Sequence, residues 1–294
     1  MLYNYLKISI RTLIKNRAFS LINIFGLAIS MSVCLLVILI LSEQFSTERS
    51  NPFKDRLYRV NTTRTNLEWT TNFATAALPV AEELAGITFV EETTTINDGF
   101  SGDADTGVKK VPLKGLYAES NLFRLFDFQL SAGNTMSALE APYSIVLTEK
   151  AAEKLFAPGE QVLGRVLGFD DFGEYTVTGI LQKPENKTHV DGFEVIVSMS
   201  TIPILEDQEI IRTVSTDWDR YYQSYVYALL APEVDAEQVQ PYLDNLAKLH
   251  HANDEHTRVD LSIQPITAIN PAFNQLSNEL SFAIPVVALI FISG

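Results

Sequence analysis

Two hydrophobic patterns divide this chain. No charged residue occurs from Ala18 to Ser42, and the core of that run, Phe19 to Leu41, is 23 residues long. At about 1.5 Å of rise per residue, a helix of that length crosses a hydrocarbon layer of roughly 30 Å. From Leu57 the pattern changes to short β-rich runs: LYRVNTT (57–63), FVEETTTI (89–96), YSIVLT (143–148), YTVTGIL (175–181), FEVIVSM (193–199), YQSYVYALL (222–230) and VDLSIQPI (259–266). These predict strands. Between them, residues 75–85, 120–126, 149–156 and 235–250 have helical composition, and Asp235 with Gln238 three residues on forms a capping-box start for the last. Strands separated by helices over this length predict an α+β or split βαβ arrangement, not a pure sandwich. The sequence has no internal repeat or low-complexity segment.

The long run reads as a retained membrane span. A cleavable signal has a shorter apolar region, on the order of 7–15 residues, and then a small-x-small site, whereas Leu35 to Leu41 stays bulky until Glu43. Upstream, Lys7, Arg11 and Lys15 recur every four residues beside Leu2, Leu6, Ile10, Leu13 and Ile14. Residues 1–17 therefore predict a basic amphipathic helix in the cytoplasmic headgroup layer, facing anionic lipid. By the positive-inside tendency the N-terminus is cytoplasmic, residues 18–42 span, and everything after Glu43 is outside. After Glu279 the stretch LSFAIPVVALIFISG (280–294) is again apolar and uncharged, and reads as the start of a second span, cut off before completion. The expected exported domain is then 43–279, and the chain reads as a fragment.

Charge narrows the function. The leader takes four of the 22 Lys/Arg and none of the 36 Asp/Glu, so the remainder carries 18 basic against 36 acidic side chains. Such a surface repels a polyanion, and no basic cluster denser than Lys109–Lys110 offers phosphates a patch, which excludes nucleic acid as a partner. The only cysteine, Cys34, lies inside the apolar run. The exported part therefore has no disulfide, zinc-thiolate site or cysteine nucleophile, and relies on a packed core.

Candidate chemistry is sparse. Gly159-x4-Gly164-Arg165-Val166 has a phosphate-loop spacing but lacks the Lys and the Ser/Thr that chemistry needs, and predicts a turn beside a strand. Asp98, Asp103 and Asp105 cluster in DGFSGDADTG, but an EF-hand register from Asp103 puts Val108 where Gly is needed and Lys114 where the bidentate Glu belongs. That tract predicts a hairpin tip. His250, His251 and His256 could hold zinc or copper, yet lack the i, i+3 or i, i+4 spacing of helical ligand pairs, so they predict solvated histidines at a helix C-terminus. No GxSxG, HExxH or identifiable triad occurs. We therefore assign no catalytic, cofactor-binding, metal or substrate-binding residue.

Longer blocks carry a resemblance. YLKISIRTLIKNRAFSLINIFGLAISMSVCLL (5–36) resembles the start of ABC-transporter permeases of the MacB/FtsX type. DRLYRV (55–60), YAESNLFRLFDFQLSAGN (117–134), APYSIVLTEKAAEKLFAPGEQVLGRVL (141–167), YTVTGILQKPENKTH (175–189) and YQSYVYALLAP (222–232) resemble successive blocks of the MacB periplasmic core. The resemblance implies two spans bracketing an α+β periplasmic domain with a porter-like part and an inserted lobe. It also implies an inner-membrane location, a dimer of permease subunits, a cytoplasmic ABC ATPase partner and a periplasmic adaptor or substrate protein. The implied function is export or mechanotransmission by a non-catalytic subunit. Two other readings are a membrane-anchored periplasmic sensor or ligand-binding module, and an anchored hydrolase.

Overall fold

The uncharged run forms one helix, α1 (Arg17–Gln44). Its Arg17–Leu39 stretch is long and apolar enough to cross a membrane, and none of the other described residues buries it. Phe19, Ile22 and Leu39 stay exposed along its length. Ser32 returns its hydroxyl to the Ala28 carbonyl at 2.8 Å and Ser42 to that of Leu39 at 3.0 Å, which lowers the cost of placing them in hydrocarbon. The computed structural model describes residues 11, 13–44, 47–184, 186, 188–251 and 257–269. The leader before Arg11, His256 and the expected second span at 280–294 lie outside the described residues.

The remaining elements, in chain order, begin with β1 (Leu57–Asn66), β2 (Thr70–Phe73), α2 (Pro79–Ala85), β3 (Val90–Asp105), β4 (Lys110–Ala118) and α3 (Asn121–Leu125). Next come β5 (Leu130–Gly133), β6 (Ser144–Thr148), α4 (Glu149–Leu155), β7 (Val166–Phe169), β8 (Gly173–Leu181) and β9 (Val195–Ser198). Last are α5 (Ile202–Asp207), β10 (Ser224–Leu230), α6 (Ala236–His251) and β11 (Thr257–Pro265). The described strands form one sheet in the order β11-β1-β10-β3-β4-β9-β6-β8-β5, with β2 on β1 and β7 joining β3 to β8.

Two lobes share this sheet. β1, α2, β3, β10, α6 and β11 make a βαββαβ unit whose strands pair antiparallel in the order β11-β1-β10-β3. That is a ferredoxin-like lobe, the split βαβ arrangement expected from the strand and helix pattern. A second lobe, β4 through α5, is inserted between β3 and β10 and mixes parallel pairs, β4 with β9 and β6 with β8, with antiparallel ones. The long strand β3 belongs to both. It pairs with β10 from Val90 to Asn97 and with β4 from Ile96 onward, with a register shift between Asn97 and Phe100, and its end pairs with β7.

Alternation along each strand buries both faces of the sheet. One face is continuous from Leu57 and Leu229 through Ile96 and Leu116 to Ile196 and Val146, and α3 packs on it with Leu122 and Leu125. The opposite face carries two separate cores. Val60, Val226 and Ala228 lie with Leu84 of α2 and Val239 and Leu243 of α6. Leu113, Ile145 and Val197 lie with Leu155 of α4 and Leu205 of α5.

β2, β4, β5, β7 and α5 were not evident in the sequence pattern. In β4 the tract KVPLKGLYA carries Pro112 and Gly115, which ordinarily argue against a strand. Pro112 is tolerated because that half of β4 pairs with β3, while β9 joins only from Gly115 onward.

Candidate functional site

The junction between α1 and the sheet is built from the side chain of Glu48, four positions after Gln44 at the end of the helix. Glu48 sits in a turn with a positive φ of 60°, and its carboxylate is 2% exposed. Its Oε1 accepts the backbone N–H of His189 at 3.0 Å and the ring Nδ1 at 2.8 Å. Asn51 donates its amide to Glu48 Oε2 at 3.3 Å and to the Leu125 carbonyl at 2.9 Å, which fastens the same turn to α3.

The chain of bonds continues inward. His189 Nε2 lies 2.7 Å from the hydroxyl of Tyr227, in the middle of β10. In the tautomer with Nδ1–H donating to the carboxylate, Nε2 accepts the hydrogen bond of the Tyr227 O–H and the ring is neutral. Phe126 packs edge-on against both His189 and Tyr227 and closes the site to water. Beside it Arg59 of β1, 2% exposed, donates Nε to Asn61 Oδ1 at 3.0 Å and Nη2 to Gln264 Oε1 at 3.2 Å. Asn61 donates to the same Gln264 oxygen at 2.7 Å, so β1 and β11 are cross-tied around the buried guanidinium. Each charge has several hydrogen-bond partners, as burial requires.

Burial pushes the His189 pKa down, and the nearby Arg59 cation adds to this against the opposing pull of Glu48. Burial opposes ionisation of Glu48, but the hydrogen bonds from His189 and Thr188 outweigh it and hold the carboxyl below its ordinary value. Both shifts mean that the unfolded chain binds protons the folded junction refuses, so stability falls as pH falls. The His189 contribution is complete above the ordinary histidine pKa of about 6.5 and is lost progressively below it, and that of Glu48 follows below the ordinary carboxylate range. Between pH 7 and pH 5 we expect unfolding free energy to decline by up to about 1.4 kcal/mol per pH unit for the one histidine proton. His189→Gln, which can still donate to Glu48 without titrating, should give a shallower slope. His251, also lowered by burial, contributes equally to both chains, so the difference between denaturation midpoints isolates His189. Equal slopes would remove His189 from this account.

The tracts singled out in the sequence lie elsewhere. Gly159 and Gly164, with φ of 85° and 80°, form the turns between α4 and β7, a turn beside a strand as expected. Asp98, Asp103 and Asp105 do not form a hairpin tip. They lie within β3, and the tip is Thr106–Lys109, where Asp105 accepts the Gly107 N–H at 2.7 Å. The expectation of solvated histidines is also corrected. His250 stacks on Trp218 at 3.5 Å between centroids, and His251 is 7% exposed with Nδ1 3.3 Å from Asp219. The rings cover the end of the α6 core because Trp218 and Tyr221 offer aromatic faces there. The Asp235 start of α6 holds, since Gln238 Oε1 accepts the Asp235 N–H at 2.9 Å. Among the described residues no group of three His, Cys, Asp or Glu side chains is placed to hold a metal ion.

The profile of the MacB-like periplasmic core domain family matches residues 20–246, which takes in α1, the Glu48 turn, His189 and Tyr227. The chain belongs to this family. Comparison with curated proteins gives no match. Among solved structures, this MacB-like domain is similar to a domain assigned to a permease protein from Porphyromonas gingivalis, at 22% identity and a TM-score of 0.61, covering 74% of this chain and 92% of that one. It is also similar to the periplasmic region of MacB from Actinobacillus actinomycetemcomitans, at 16% identity and a TM-score of 0.45, over 68% of this chain and 87% of that one. A third similar structure is the extracellular domain of the ABC-type transporter YknZ from Gram-positive bacteria, at 16% identity and a TM-score of 0.44, over 68% of this chain and 98% of that one. The MacB-like assignment agrees with the resemblance carried by the sequence blocks, and it places the chain among domains of ABC-transporter-type permeases.

Proposed function

We propose that this chain is part of a non-catalytic permease subunit whose outer domain moves when a cytoplasmic ABC ATPase closes. The observation that carries the reading is the placement of Glu48. A turn four positions beyond a candidate membrane helix is clamped into the sheet by His189 and Asn51, with Tyr227 and Arg59 behind. A shift of the chain at this turn then pulls on β1 and β10 together. Buried hydrogen bonds to a charge resist such extension far better than an exposed ion pair, which is worth about 0–1 kcal/mol. The strand β3, shared by both lobes, would carry the movement outward.

In this reading residues 1–17 lie on the cytoplasmic face, 18–42 span the inner membrane, 43–279 form the periplasmic domain and a second span starts at 280. The subunit works as a dimer with the ATPase, and a periplasmic adaptor or substrate protein receives the movement. The reading is tested by whether ATP binding to the ATPase changes the distance between the two lobes in the full-length protein. A distance indifferent to nucleotide counts against it.

A further inference from the structure

The two cores on one face of the sheet do not merge. Between them runs a polar seam of Thr95, Asn97 and Ser224, all buried, with the Asn97 amide donating to the Ser224 hydroxyl at 2.8 Å. At one end this seam opens into a cavity of about 230 Å³. Ala81 of α2 forms one wall and Ile202 and Pro203 of α5 the other, so each lobe supplies a side. Thr95 and Glu119 line it from the sheet, and the exposed Glu82 adds a second carboxylate.

Glu119 is the unusual member. Its Oε1 accepts the Thr95 hydroxyl at 3.1 Å, and the Thr95 backbone N–H and the Thr94 hydroxyl also bond to the carboxylate. None of the described residues lining the cavity is Lys, Arg or His. Burial holds the carboxyl above the ordinary carboxylate range against the hydrogen bonds from Thr95 and Thr94. A half-buried carboxylate with no cation beside it is stabilised by an incoming cation, because burial disfavours its charged form until a charge partner arrives. Thr95, Glu119 and Ser215 share the lining with Leu78, Met199 and Ile202, and polar groups converging beside apolar ones are the usual form of a small-molecule site. Size sets the occupant, since an apolar cavity of about 150 Å³ holds benzene. The space here admits one ring with a short arm.

We propose that this cavity binds a small organic cation, an ammonium on a compact apolar body, with the ammonium against Glu119 and the body between Ala81 and Ile202. Because its walls belong to different lobes, the ligand would bridge them.

Titration calorimetry on the full chain in lipid nanodiscs tests this with 2-phenylethylamine and its neutral isostere 2-phenylethanol. The amine should bind saturably and at least tenfold more tightly than the alcohol. Glu119→Gln should lower amine affinity by tenfold or more and leave that of the alcohol unchanged. Equal affinity for amine and alcohol on the unaltered chain, the absence of saturable amine binding, or an undiminished amine preference in Glu119→Gln would each overturn the proposal. The comparison of the two ligands on the unaltered chain needs no variant, so it stands even where the substitution impairs folding.

Discussion

Glu48→Leu should lower the stability of the sheet domain by about 3–5 kcal/mol, because it strands several buried hydrogen-bond donors at about 1–3 kcal/mol each. The leucine leaves the His189 backbone N–H, the His189 ring N–H and one Asn51 bond without their carboxylate acceptor. Glu48→Gly should fall short of the same loss by about 1 kcal/mol, because glycine relieves the positive φ of 60° at this turn. Denaturant titration of the full chain measures both. The two tryptophans, Trp69 and Trp218, lie outside α1, so their fluorescence follows the sheet domain alone. A shift below about 1 kcal/mol for Glu48→Leu would mean that the turn is not fastened through this side chain.

Gly115→Ala is the second large effect, at about 3 kcal/mol of lost stability, because the added methyl has nowhere to go. A Cβ there would stand 2.3 Å from Val195 Cγ2, 2.7 Å from the Val195 carbonyl oxygen and 3.0 Å from Phe100 Cδ1. Val195 is the register partner of Gly115 across the parallel β4 and β9 ladder, and Gly115 also pairs with Phe100 of β3. Relief therefore requires opening the β4–β9 ladder, through which β4 is held to the rest of the second lobe. Gly168→Ala in β7 is the control, since its nearest neighbours would be at 3.8 and 3.9 Å, and it should cost less than about 1 kcal/mol. Equal midpoints for the two variants would contradict the packing described for β4.

The alternation that buries both faces of the sheet also made most of it readable beforehand. β1, β6, β8, β9, β10 and β11 all arise from runs rich in Val, Ile, Leu, Tyr and Thr, and α6 from an amphipathic stretch with its start signalled by Asp235 and Gln238. β4 was hidden because Pro112 and Gly115 contradict strand chemistry locally and are accepted only through its pairing with β3 and β9. The junction was hidden for a different reason. Glu48, Arg59, His189 and Tyr227 are scattered over the chain and form no motif, so only the fold brings them together. Two weak signals existed. Arg59 stands among the apolar positions Leu57, Tyr58 and Val60 that open β1, and His189 is the one histidine outside the tract at 250–256. That tract drew attention by composition, but its two described rings serve packing against Trp218 and Tyr221.

The central claim is that movement of α1 reaches the outer domain through Glu48. It is tested most directly by spin-label distances across the two lobes. Labels at Leu67 and Val108, 85% and 93% exposed in the β1–β2 and β3–β4 turns, report the two lobes, with Cys34→Ser removing the native thiol. The full-length protein is reconstituted with the proposed ATPase, and distances are recorded without nucleotide and with ATP trapped by vanadate. We expect the distribution to shift by several ångströms on trapping, and to stay fixed in Glu48→Leu under conditions where tryptophan fluorescence shows a folded domain. An unaltered protein whose distances ignore nucleotide, or a Glu48→Leu protein that shifts as fully as the parent, would contradict the account.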